Sequence, residues 1–184
     1  MIEPQRTTRT TTELVLRSAF PDVFVMDGSG RDRYWVRSGV AERLGLWSLR
    51  DLGGHELLSI RQERTWPLPS YGVHRAGERV ATVREAPGRA AARWRSAVRM
   101  LVRGQPARLH YSVQGAGVGR LEITGDPGGL GYQFTRAGRQ AATVAPQWLT
   151  WAPAFGLGVR VAEGEDPLLI LAVTAMIESA WARL

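Results

Sequence analysis

Near its C-terminus the chain carries the segment Leu168 to Ile177 (LLILAVTAMI), which is apolar almost all the way round except for Thr174. It follows Asp166-Pro167, an acidic N-cap with a proline at the first helical position, where a missing N–H costs nothing. A helix with no polar face must lie inside a protein or a bilayer. A helix over 167–183 would run roughly 25–27 Å. Its uninterrupted apolar part falls well short of the ~20 residues that span a membrane comfortably. The expectation is a buried helix, and the rest of the chain has to build something around it.

The rest of the chain reads as β structure. From Glu13 to about Val161, short runs rich in branched and aromatic residues alternate with glycine turns. Gly30, Gly54, Gly77 and Gly138 close the stretches DGSG, DLGG, HRAG and TRAG. Six residues after each glycine stands an aliphatic: Val36, Ile60, Val83 and Val144. Six is even, so each aliphatic keeps one face relative to its turn. Arg37, Arg61 and Arg84 follow the first three and take the opposite face. Tyr71–Val83 (YGVHRAGERVATV) and Tyr132–Val144 (YQFTRAGRQAATV) agree at seven of thirteen positions, at an offset of 61. That suggests two related halves, each a meander of hairpins.

About a dozen antiparallel strands must close or double up to hide their edges. A large closed barrel leaves space that needs filling, and the apolar helix would fill it. The fold expected is therefore mainly β: a closed antiparallel barrel of about twelve strands around a buried hydrophobic C-terminal α-helix. Residues 1–12 (MIEPQRTTRTTT) read as a disordered polar tail without the apolar core of a signal peptide. Residues 13–184 then form one domain, a length that can bury a substantial core. A cytoplasmic monomer with no transmembrane span is the expectation.

The net charge of +7 comes from 24 basic and 17 acidic residues. All the basic residues are Arg, and Lys and Asn are both absent, as a very GC-rich genome would favour. The excess nevertheless has an address. From Arg84 to Arg108 there are seven arginines and one acid, Glu85. Residues 86–104 fit a helix or a strand, and in either case Arg93, Arg95, Arg99 and Arg103 come to one side, with Trp94 beside them. Such a face suits an anionic lipid surface, where each basic residue gains ~1 kcal/mol. It also suits a nucleic acid.

Catalytic and metal chemistry finds little support. With no Cys there is no disulfide, thiolate nucleophile or thiolate-bound metal. His55, His74 and His110 stand in separate hairpins. No nucleophile elbow, metalloprotease helix or Walker lysine is present. The glycine-rich GAGVGR and GDPGGLG stretches lie between strands and serve turns and bulges. Asp27 and Asp32 flank a loop that lacks the bidentate Glu a calcium site wants. Glu163, Glu165 and Asp166 serve the start of the helix. No enzyme activity, cofactor or metal is expected.

The sequence also resembles the LURP-one-related proteins of the tubby C-terminal-like superfamily, whose relatives include the phospholipid scramblases. The marks are the D-x-x-G hairpins at Asp27–Gly30 and Asp51–Gly54, the LEITGD stretch (Leu121–Asp126) and Tyr132 of LGYQF. The segment WLTWAPAFGLGV (Trp148–Val159) followed by EDPLLILAV completes them. The stretch Ala86–Ser96 departs from the family pattern as an arginine- and alanine-rich insertion. The resemblance implies a twelve-stranded barrel around a central hydrophobic helix. It makes reversible binding of anionic lipid head groups or a membrane surface, at the inner face, the leading functional expectation. A regulatory module for nucleic acid or a protein partner is the alternative, and phospholipid scrambling ranks behind both.

Overall fold

The computed structural model describes residues 11–19, 22–37, 45–64, 69–85, 109–126, 131–148 and 155–181. Twelve strands follow one another: β1 (Thr12–Ala19), β2 (Asp22–Asp27), β3 (Asp32–Arg37), β4 (Leu46–Asp51), β5 (Glu56–Arg64) and β6 (Ser70–Arg75). Then come β7 (Glu78–Glu85), β8 (Leu109–Gly115), β9 (Gly119–Asp126), β10 (Gly131–Arg136), β11 (Arg139–Trp148) and β12 (Phe155–Val161). One helix, α1 (Pro167–Trp181), ends the described chain. Each strand pairs antiparallel with its neighbours in sequence, and β1 pairs with β12 to close the barrel. The expected fold is the observed one. β1 opens at Thr12, opposite Val161, so the last residue assigned to the tail belongs to the wall.

Alternation along the strands puts one set of side chains into the lumen. Val36, Ile60, Val83 and Val144 are all 2% exposed or less, while Arg37, Arg61 and Arg84 face outward and are exposed. Every strand contributes to a single hydrophobic cluster that includes the helix. Residues Leu169 to Ile177 are buried on every side, which a helix inside a closed barrel achieves and a helix against an outer wall does not. Among the described residues, no helix is long and apolar enough to cross a membrane.

The four glycine turns are of two kinds. At Asp27 and Asp51 the turn spans four residues between strands. At Arg75 and Arg136 it spans two, with Ala76 and Ala137 left-handed (φ 50° and 48°) before left-handed Gly77 and Gly138. The four hairpins each carry a register shift near the turn. The two most similar hairpins are β6–β7 and β10–β11. They lie four strands apart, whereas repetition of half of a twelve-stranded barrel requires six. The repeat is therefore one of hairpins rather than of halves: each bulged hairpin supplies the twist and tilt that a closing wall needs.

The barrel has two unlike ends. The connections β2–β3, β4–β5, β6–β7, β8–β9, β10–β11 and β12–α1 lie at one end and are all described. We call it the turn end. The other six connections lie at the opposite end, the loop end, and each includes residues outside the described set. α1 enters at the turn end and runs toward the loop end.

Candidate functional site: the loop end and the charge it carries

The arginines singled out from sequence, Arg93, Arg95, Arg99 and Arg103, lie with Trp94 outside the described residues, as does the choice between helix and strand for 86–104. The topology still constrains where that segment starts and stops. β7 ends at Glu85 and β8 begins at Leu109, both at the loop end. Arg84, paired across to Ser112 and to Ser70, is exposed on the outer wall at that same end.

The described residues are close to charge balance in sum. The described residues hold 14 arginines and 15 carboxylates, a net of −1, so the chain's whole positive excess falls outside them. The connection 86–108 alone has six arginines and no acid. On the wall, Arg50 pairs with Glu56, Arg79 with Glu63, Arg120 with Glu122, and Arg160 with Glu13. Apart from the part-buried Arg50, these are largely exposed pairs, each worth little to stability. They do cancel charge locally, whereas Arg37, Arg61 and Arg84 stand exposed on the same wall.

At the turn end Asp27 and Asp51 are occupied. Asp27 Oδ1 accepts from Ser29 N, Ser29 Oγ and Arg31 N, and Asp27 Oδ2 accepts from Arg33 Nε at 2.8 Å. The Ser29 hydroxyl, then Arg33 and the backbone amides, hold this carboxyl well below the usual range. Asp51, its counterpart in the next hairpin, accepts from the backbone N–H of His55 and meets His55 Nδ1 at 3.0 Å. The His55 backbone hydrogen bond is the main reason its carboxyl is also lowered. Both aspartates spend their oxygens closing their own turns. Among the described residues, no three His, Asp or Glu side chains are grouped to hold a metal ion.

Glu165 and Asp166 do serve the helix start, and they do more. Asp166 Oδ1 accepts from the N–H of Leu168 and of Leu169. Its other oxygen pairs with Arg75 at 2.5 Å. Glu165 takes a two-point grip from Arg136, Nε at 2.9 Å and Nη2 at 2.7 Å. Arg136 also donates to the Val118 carbonyl. Arg75 and Arg136 are equivalent positions of the repeated hairpin, 61 residues apart. The sequence displayed that equivalence, but not that both guanidinium groups converge on the helix entrance.

A groove of about 470 Å³ crosses the outer wall over β2, β1, β12 and β11. Its floor includes Val15 and Met26, buried against each other outside the barrel core. The acids on its rim, Glu13 and Asp27, are already paired with Arg160 and Arg33.

Inside the loop end the lumen turns polar. Trp47 and Tyr71 meet edge to face, ring centroids 5.8 Å apart. Glu85, in phase with Ala81 and Val83, faces inward beside Tyr111. At the same end the buried Tyr132 hydroxyl lies near Thr174 and Glu178 of α1. Burial pushes the Tyr132 hydroxyl far up, and the neighbouring Glu178 adds to it. Burial likewise raises Glu178, opposed by the Tyr132 hydrogen bond. Thr174 and Glu178 are four apart on one face of the helix. That spacing was the available sign of a polar stripe on an otherwise apolar segment.

No protein-family model matches the chain, and no curated protein matches it. Among solved structures, the X-ray structure of the Arabidopsis thaliana protein AT5G01750 superposes with a TM-score of 0.57 at 10% identity, covering 95% of this chain and 93% of that one. The likeness is one of overall fold.

Proposed function

We propose that the chain is a non-enzymatic LURP-one-related protein of tubby-like fold that binds anionic lipid head groups or a membrane surface reversibly, from the cytoplasmic side, through the loop end of its barrel. One observation carries this reading. The described residues together carry a net charge of −1, while one connection of 23 residues has six arginines and no acid, and the two strands it joins both meet it at one end. Because β7 and β8 both meet that connection at the loop end, we infer that the molecule approaches an anionic surface end-on. Arg93, Arg95, Arg99 and Arg103 are the proposed contacts, with the Trp94 ring at the interface. Their attraction to the leaflet decays within a Debye length, ~8 Å at physiological salt.

Co-sedimentation with vesicles tests the proposal. The wild-type protein should pellet with phosphatidylserine-containing vesicles, not with pure phosphatidylcholine, and should be released as salt rises. Replacing the four arginines by Glu should abolish pelleting. Equal pelleting of wild type and variant would remove these residues from the site. If a nucleic acid bound tightly, with a steep salt dependence, and displaced the protein from vesicles, the same face would serve a polyanion instead.

A further inference from the structure

We propose that Arg37, Arg61 and Arg84 form a second contact for an anionic bilayer on the β3–β7 side of the wall, so that the barrel leans toward this side as its loop end engages. The proposal rests on the membrane-binding reading above and adds an orientation to it. The three arginines occupy one position of the repeated hairpin, seven residues beyond the turn glycines Gly30, Gly54 and Gly77. They point outward, because the aliphatic before each one is buried in the lumen, and all three are exposed. Their turns share one end, so the arginines stand at similar heights, toward the loop end. The register agrees. Cross-strand pairing carries Arg37 through Ser48 to Ser59, and Arg84 through Ser70 to Arg64, on either side of Arg61 along β5. That is the stagger strand tilt imposes on a closed barrel. Alternate strands lie roughly 9–10 Å apart, so the three charges spring from an arc spaced at about one Debye length.

Charge makes this arc unlike the rest of the wall. Arg33, Arg50, Arg79, Arg120 and Arg160 each have a carboxylate partner. Arg17 is half-buried against the Phe24 ring. Arg37, Arg61 and Arg84 have no carboxylate partner among the described residues. Directly across from them on β4, β6 and β8 lie Ser48, Leu46, Gly72, Ser70 and Ser112, all uncharged. The acids of β3–β8 toward the loop end are Glu63, which Arg79 holds at 3.2 Å, and Glu85, which faces inward. Three like charges without counter-ions repel one another, a cost that an anionic surface removes. The fourth copy of the hairpin sets the direction. Seven residues beyond Gly138 is Ala145, exposed on β11 with Gly158 across from it. β11 stands six strands from β5, halfway round the barrel. The arc centred on Arg61 therefore lies opposite a matching position that carries no charge.

Paired variants that remove equal charge test the lean. Arg31 and Arg139 are also exposed and without a carboxylate partner among the described residues, but they sit at the turn end. Co-sedimentation with phosphatidylserine-containing vesicles compares the wild type, Arg61→Gln with Arg84→Gln, and Arg31→Gln with Arg139→Gln. An arginine that reaches the surface strengthens partitioning about fivefold. The first double variant should therefore partition at least about tenfold more weakly than the wild type, and the second within about twofold of it. A second readout does not depend on affinity. The chain has no cysteine, so a fluorophore can be placed at Ser70→Cys, directly across from Arg84, or at Ala145→Cys. A lipid carrying a quencher on its head group should quench the probe at 70 more strongly than the probe at 145. Equal partitioning of the two double variants, or equal quenching at the two sites, would overturn the lean while leaving end-on binding in place. Wild-type protein that fails to pellet would overturn the membrane reading itself, and the lean with it.

Discussion

Ala76 and Ala137 pay a conformational penalty that a glycine or asparagine would avoid. Both occupy left-handed backbone directly before a glycine, the turn for which Asn-Gly is preferred. Left-handed backbone costs a residue with a Cβ roughly 1–2 kcal/mol. Replacing either alanine by Asn should therefore stabilise the protein by about 1 kcal/mol, read as a rise of about 2–4 °C in the unfolding midpoint. The two clamp arginines should separate in the same assay. The Arg136–Glu165 pair is two-pronged and Glu165 is only 14% exposed, so Arg136→Ala should cost about 1–3 kcal/mol. The Arg75–Asp166 pair is more open, and Arg75→Ala should cost less than about 1 kcal/mol. Equal losses would mean that the two hairpins hold the helix entrance alike. At this scale the sequence was partly legible. The matching HRAG and TRAG turns identified equivalent positions, but an arginine's partner 29 or 91 residues away leaves no local trace.

At the scale of elements, two periodicities carried most of the information. The even spacing from glycine to aliphatic placed Val36, Ile60, Val83 and Val144 in the lumen. The lack of any polar face on Leu168–Ile177 placed the helix there with them. The distinction between halves and hairpins was not legible, because a thirteen-residue match reports one hairpin and says nothing about how many strands intervene. Nor was the polar end of the lumen. Tyr132, Glu85 and Glu178 come from three elements, and only closure of the wall brings them to one end. The helix acts as the barrel's core, so Leu171→Ala, at a fully buried position, should cost about 2–5 kcal/mol. Leu52→Ala in the β4–β5 turn, where the side chain is 62% exposed, should change stability by less than about 0.5 kcal/mol. Chemical denaturation of the pair measures both, and a comparable loss at Leu52 would argue against a core centred on the helix.

For the molecule as a whole, net charge is a poor guide and its distribution a good one. A total of +7 in a chain that uses only arginine as its base could have been spread evenly. Instead the described residues come to −1, and several of their arginines pair with carboxylates along the wall and at the turn end. The excess was visible in the sequence as a run. Its meaning depended on knowing that β7 and β8 both meet the run at the loop end. End-on approach to an anionic surface is the central claim, and the absence of cysteine makes it directly measurable. A single cysteine carrying an environment-sensitive fluorophore can be placed at Gln105→Cys, in the β7–β8 connection, or at Leu52→Cys, at the turn end. On adding phosphatidylserine-containing vesicles, the probe at 105 should shift to the blue and the probe at 52 should not. A shift at 52 alone, or at both positions equally, would contradict end-on binding through the loop end.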